Sequence, residues 1–127
     1  MAQILVIDDS IYQRGQIRRA LEPEGYELLE AANGREGLEM VATSRPDCIL
    51  LDLIMPETGG LEVLQVLHGQ GSNVPVIVLT ADIQERTRQQ CLELGATAFI
   101  NKPLQGDELV NAIKPVLDSQ EGKEEAA

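Results

Sequence analysis

Five short strand-forming runs constrain this chain more than any other feature: Gln3–Ile7, 26–31, 48–51, 76–79 and 98–100. All but the second, weaker run are almost purely apolar rather than alternating, the pattern of strands covered on both faces of a sheet. Between and after them lie longer stretches with helical spacing, at 10–22, 34–43, 61–67, 83–94 and 106–117. Leu38, Val41 and Ala42 share one face of the second stretch, Leu61, Leu64 and Leu67 line the third, and Leu109, Ile113 and Leu117 the last.

The punctuation agrees with this division. Ser10 is placed to cap the first helix, and Pro23 and Gly25 end it. Arg45 and Pro46 mark a turn, 53–59 a loop and 69–73 a second turn. Gly95 suits the left-handed residue that closes the 83–94 helix. Pro115 falls inside the last helix and is expected to kink or shorten it.

Strand followed by helix, five times over, implies a parallel sheet with right-handed crossovers. The expected architecture is a three-layer α/β/α sandwich, a flavodoxin-like (βα)₅ fold with strand order 2-1-3-4-5. One domain is expected over 1–118, followed by a solvated, flexible acidic tail over 119–127 that lacks apolar periodicity.

Composition narrows the partners. The formal net charge of −11 sets this chain against phosphate backbones and anionic membranes, so neither nucleic acid nor membrane is an expected direct partner. A metal cation or a basic protein surface suits it better. With 2% aromatic residues and no Trp, the core must be built from Leu, Ile, Val and Ala. Cys48 and Cys91 sit far apart in apolar segments and read as reduced core residues. Met1 to Ile7 runs into a strand with neither a basic leader nor a cleavage site, which points to a cytoplasmic protein.

In open α/β sheets, ligands bind beyond the carboxyl ends of the strands. The first strand ends in Asp8 and Asp9, the third in Asp52, the fourth in Thr80, and the fifth in Asn101, Lys102 and Pro103. Three carboxylates, a hydroxyl and an ammonium are thereby directed to one sheet edge. Clustered carboxylates do not all stay ionised unless a cation joins them. A hard divalent ion with oxygen ligands fits, and Mg²⁺ completes its shell with carboxylates, waters and a phosphate oxygen. No base stands beside a Ser or Cys, so acyl transfer is not suggested. The set suits phosphoryl transfer, in which a carboxylate can itself be the nucleophile.

The pieces Val6-Ile-Asp-Asp-Ser10, Leu51-Asp-Leu-Ile-Met-Pro56, Leu79-Thr-Ala81 and Lys102-Pro103, in this order at these strand ends, resemble the receiver domain of bacterial two-component response regulators. The resemblance covers about 3–118. It implies that Asp52 is the phosphoacceptor and that Asp8 and Asp9 hold Mg²⁺ (or Mn²⁺), with Asp52 and the backbone carbonyl of Ile54 as further ligands. It implies that Lys102 contacts the phosphoryl group, Thr80 is the switch hydroxyl, Phe99 the switch aromatic and Ala81 the small residue beside the site. It also implies a cis peptide bond between Lys102 and Pro103.

The chain departs from the family pattern at Gly59, where many members carry Asp, and at Phe99, where Tyr is more frequent. The residues two beyond Asp52 and two beyond Thr80, Ile54 and Asp82, stand where the family tunes phosphoryl lifetime. Arg14, Arg18 and Arg19 read as a solvated helix face, with kinase docking as the alternative.

The function implied is that of a single-domain receiver. It is phosphorylated by a histidine kinase or a histidine phosphotransfer protein and signals to a downstream protein through the face formed by the 83–94 helix, the 98–100 strand and the 106–117 helix. It is not an enzyme beyond catalysing its own phosphorylation and dephosphorylation. The alternatives are a receiver excised from a longer regulator with an output domain, and a phosphorelay intermediate. A haloacid-dehalogenase-like phosphatase would need a second carboxylate two residues after the nucleophile, where this chain has Ile54. An inactive receiver is opposed by the intact acidic pair, acceptor and lysine.

Overall fold

The computed structural model describes residues 2–82, 84–103 and 105–126, and of 106 and 120–126 the backbone alone. Strands β1 (Gln3–Ile7), β2 (Glu27–Ala31), β3 (Cys48–Asp52), β4 (Val76–Thr80) and β5 (Ala98–Asn101) alternate with helices α1 (Ile11–Leu21), α2 (Gly34–Ser44), α3 (Gly60–Gly69), α4 (Glu85–Glu93) and α5 (Gly106–Ala126). The strands form one parallel sheet in the order β2-β1-β3-β4-β5, the flavodoxin-like order expected.

Strand periodicity divides the core into two layers. Leu5, Ile7, Ile49, Leu51, Val76 and Val78 face a cluster completed by Val63, Leu64 and Leu67 of α3 and Cys91 of α4. Ile4, Val6, Cys48, Leu50, Ile77 and Leu79 face the opposite cluster, completed by Ile17 and Leu21 of α1 and Leu109, Ile113 and Leu117 of α5. The alternation works because every second residue of a strand points to the same face, and here both faces are apolar. Each fully buried aliphatic side chain contributes about 1.5–3 kcal/mol. A core of this extent tolerates the three buried polar residues at its carboxyl edge, Asp8, Asp52 and Thr80.

Local signals account for several helix ends. The Ser10 hydroxyl accepts from the Gln13 amide and caps α1, and the Asn33 side chain caps α2 in the same way. Gly95 adopts φ +93° after α4, the left-handed conformation expected of a closing glycine. Glu22–Glu24 forms a short 3₁₀ turn where the sequence predicts the end of α1, and Gly25 leaves it at φ +87°. The predicted start of the fourth helix at Ile83 lies outside the described residues, and α4 is assigned from Glu85.

The last helix departs most from expectation. Pro115 sits inside α5 without ending it, and the helix runs on to Ala126 through residues read from the sequence as a solvated tail. Gln, Glu, Lys and Ala in that stretch are strong helix formers, so the backbone can stay helical without apolar spacing. Ala127, the tail's last residue, lies outside the described residues.

Candidate phosphoryl and metal site

The acidic edge is assembled by strand register. Asp52 pairs with Leu79 and Thr80 with Asn101, so the carboxyl ends of β3, β4 and β5 lie level. Asp8 follows β1 and is anchored as if it continued the strand, its amide donating to the Ala31 carbonyl at 3.1 Å. One carboxylate oxygen each from Asp8, Asp9 and Asp52 lies within 4.8 Å of the other two. Asp8 and Asp52 are buried, whereas Asp9 is exposed at the rim. The Lys102 ammonium stands between the buried pair, 3.5 Å from Asp8 Oδ2 and 3.3 Å from Asp52 Oδ1.

The two oxygens of each buried carboxylate are unequal. Asp8 Oδ1 accepts from the Ser10 amide at 2.9 Å. Asp8 Oδ2 is buried with no hydrogen-bond partner, the 3.5 Å to Lys102 being an ion-pair contact rather than a hydrogen bond. Asp52 Oδ1 faces Lys102 and accepts a long 3.4 Å bond from the Ile54 amide. Burial pushes the Asp52 carboxyl above its ordinary value; Lys102 pulls it down, and Asp8 pushes it up again. The net direction is upward because desolvation outweighs the single ammonium.

This donor set fits a divalent cation. Three carboxylates against one ammonium leave a formal charge of −2. The orphaned Asp8 Oδ2 is an oxygen ligand lacking a partner, and an unpaired buried acceptor is costly. Hard oxygen ligands of this kind favour Mg²⁺ or Mn²⁺ over softer metals.

The remaining residues surround this centre. Thr80 is fully buried, and its hydroxyl accepts from the Asp82 amide at 3.1 Å. Asp82 holds the start of α4 by accepting from the Gln84 amide at 2.9 Å and the Thr87 hydroxyl at 2.8 Å. Asn101 donates to the Asp82 carbonyl at 3.0 Å, tying β5 to this loop. Ala81 is exposed beside Thr80. Phe99 lies opposite Val78 in the β4–β5 register and packs half-buried against the core layer beneath α3 and α4. The Lys102–Pro103 bond is cis, as the resemblance implies.

The loop after Asp52 is shaped by two glycines and one strained residue. Gly60 presses so closely on the Asp52 carbonyl oxygen and the Leu53 Cα that a Cβ there would overlap backbone. The Gly60 amide donates to the Leu53 carbonyl at 3.0 Å and closes the loop. Gly59 precedes α3 as its N-cap residue, extended and with no side-chain cap, the bond that Asp at this position would supply. Glu57 adopts φ +64°. The left-handed region costs a non-glycine residue about 1–2 kcal/mol. Glycine's extra freedom in the unfolded chain takes back about 0.5–1 kcal/mol. Glu57→Gly is therefore expected to stabilise the protein by about 0.5–1 kcal/mol, read as a higher urea midpoint at unchanged slope.

One expectation from the sequence is corrected. Arg14 and Arg18 do not form a free solvated face. Both converge on Glu30 of β2, Arg14 Nε at 3.1 Å and Arg18 Nε at 3.0 Å, with a further contact from Arg18 Nη2. Arg14 Nη1 also donates to the Asp8 carbonyl at 2.5 Å. Arg18 still keeps 43% of its side chain exposed and Arg19 is exposed, so the solvated reading fails chiefly at Arg14. Glu30 escaped the sequence reading because it sits in a strand. The signal was its period-two match to Leu28, which places it on the α1 side of the sheet below arginines spaced i, i+4.

With this geometry in place, the comparisons with known proteins are specific. Residues 4–114 match the family described as the response regulator receiver domain. The chain is 38% identical to the response regulator MprA of Mycolicibacterium vanbaalenii over 115 residues, covering 91% of this chain and 50% of that protein. It is 39% identical to a probable transcriptional regulatory protein of a Picosynechococcus strain, covering 94% of this chain and 51% of that one. The chain thus spans about half the length of these relatives. Among solved structures, the chemotaxis response regulator CheY4 of Vibrio cholerae superposes with a TM-score of 0.85 at 33% identity, covering 92% of this chain and 99% of that one. A CheY-like receiver domain protein of Methanospirillum hungatei superposes at 0.91 with 31% identity, covering 97% and 98%. Among the described residues no helix is long and apolar enough to cross a membrane. The buried acidic edge, the strand order and these likenesses agree, and the chain belongs to the response regulator receiver domain family.

Proposed function

We propose that the chain is a phosphorylation switch in which Asp52 accepts a phosphoryl group from the phosphohistidine of a histidine kinase or histidine phosphotransfer protein. The observation that carries this reading is the Asp52 carboxylate itself. It is buried, faces Lys102 at 3.3 Å, and has carboxylate oxygens of Asp8 and Asp9 within 4.8 Å. Asp8, Asp9, Asp52 and the Ile54 backbone carbonyl are the proposed Mg²⁺ ligands. When bound, Mg²⁺ offsets the negative charge of the transferring phosphoryl oxygens.

The chain's own groups divide the remaining work. Asp52 Oδ1 is engaged by Lys102 and the Ile54 amide, which leaves Oδ2 as the nucleophile. The new bond joins Oδ2 to phosphorus, the phosphorus–nitrogen bond to the donor histidine breaks, and the imidazole leaves with that electron pair. Lys102, freed from Asp52 as its charge is masked, pairs with a phosphoryl oxygen. Thr80 turns its hydroxyl hydrogen to a second oxygen. Hydrogen bonds to charged groups contribute about 1.5–3 kcal/mol each. Two of them approach the roughly 5.5 kcal/mol that reverses a 99:1 equilibrium. Movement of Thr80 opens space that Phe99 fills, and the α4-β5-α5 face changes for a downstream protein.

Incubation with Mg²⁺ and acetyl phosphate is expected to add about 80 Da, one phosphoryl group, to the wild type and nothing to Asp52→Asn, as intact mass would show. An adduct that survives the substitution unchanged would sink this reading. Asp52→Asn is also expected to raise the melting temperature in EDTA at neutral pH. The folded-state pKa of Asp52 lies above its unfolded value, so burying the ionised group opposes folding throughout neutral pH. That penalty fades as pH falls through the folded value and is gone below the ordinary carboxylate range. The advantage of the Asn variant should therefore shrink in acid, and Mg²⁺ should stabilise the wild type more than the variant.

The half-length match to relatives favours a second reading, in which the same switch drives an output domain in a longer regulator. The full reading frame decides between this and a stand-alone receiver, and the chemistry at Asp52 is common to both.

A further inference from the structure

Glu30 lies on β2, yet it connects to the acidic edge through a single side chain. Its carboxylate takes Arg14 Nε on one oxygen and Arg18 on the other. Arg14, with only 14% of its side chain exposed, then spends Nη1 on the Asp8 backbone carbonyl. The arginine thereby meets Asp8 at its backbone carbonyl, and its one carboxylate partner is Glu30 among the described residues. Asp8 is held by its amide on Ala31, its carbonyl on Arg14 and its Oδ1 on Ser10, and Oδ2 has no hydrogen bond, only the ion-pair contact with Lys102. Arg18, desolvation and Arg14 act on Glu30 with a net downward effect on its pKa, so it stays ionised and keeps its grip at neutral pH.

We infer that Glu30 is a positioning residue for the metal site. It clamps Arg14 onto the Asp8 backbone and so keeps the guanidinium off the carboxylates that bind the cation. Without the clamp, Arg14 is drawn one side-chain swing toward the unbalanced charge of Asp8 and Asp9, where it competes with a divalent ion. Residues that orient metal ligands typically change affinity by about 10–100-fold when lost. This inference rests on the metal-site reading above and adds to it a residue on a different strand.

The experiment is Mn²⁺ binding followed by electron paramagnetic resonance of the free ion, with the full chain. Glu30→Gln keeps the shape and removes the charge, and the dissociation constant is expected to rise on the order of tenfold. If the effect passes through Arg14, the same substitution in an Arg14→Ala background changes affinity by less than about twofold. An effect undiminished in that background would mean that Glu30 acts by general charge, and the inference fails. It also fails if Glu30→Gln lowers the melting temperature but leaves Mn²⁺ affinity unchanged, since that is a purely structural role. A wild type that binds no Mn²⁺ would overturn the metal-site reading, and this inference with it.

Discussion

Lys102→Met is expected to cut labelling by acetyl phosphate on the order of 10²–10³-fold, the range seen when one charge-stabilising donor is removed from a transition state. The lysine is the only cation paired with the side-chain carboxylates of Asp8 and Asp52 among the described residues. Removing it leaves both buried carboxylates without a counter-charge, and breaking a buried pair in this way costs about 3–5 kcal/mol. Metal-free Lys102→Met should therefore unfold at a clearly lower urea concentration than wild type. Mg²⁺ should restore part of the loss, because a cation replaces the missing charge. Two readouts separate the roles of this lysine. Stability with Mg²⁺ reports its pairing with the carboxylates, and the labelling rate at saturating Mg²⁺ reports its contact with the phosphoryl group. A variant that labels at the wild-type rate would remove Lys102 from the chemistry.

Gly60→Ala should give the second large effect, a loss of about 3 kcal/mol at the upper end of overpacking costs. The added methyl meets the Asp52 carbonyl oxygen and the Leu53 Cα, which are backbone atoms and cannot rotate away. Contrast Gly37, where a Cβ would meet the Ile7 side chain at 2.5 Å, a group that has rotamers to try. Relief at Gly60 requires β3 and α3 to separate, and that moves the Asp52 carboxylate relative to Lys102. Urea unfolding measures the first consequence and the acetyl phosphate labelling rate the second. A variant as stable as wild type would show that the β3–α3 loop is far softer than its packing implies.

The positions of the site residues were legible early because strand ends are legible. Asp8, Asp52, Thr80 and Lys102 each follow an apolar run, and a parallel sheet must place such positions along one edge. Their order across that edge follows from β1 pairing with both β2 and β3. The helix ends were legible where a side chain or glycine supplies a local signal, as at Ser10 and Gly95, whereas the Asn33 cap of α2 emerged only in the structure. The end of α5 was not, because apolar spacing reports packing and says nothing of helix that continues beyond the core.

What the sequence determined by itself was the sheet, its two covered faces and the set of residues at its carboxyl edge, since these depend on periodicity and chain order. What only the tertiary structure decided was how each oxygen is used. Asp8 Oδ2 is left without a hydrogen bond, Lys102 pairs with it and with Asp52 Oδ1, and Arg14 bonds both Glu30 and a backbone carbonyl. Those assignments depend on ångström-scale distances between groups from β1, α1, β2, β3 and the loop after β5. Hydrogen bonding and desolvation act over such distances, and spacing along the chain does not encode them.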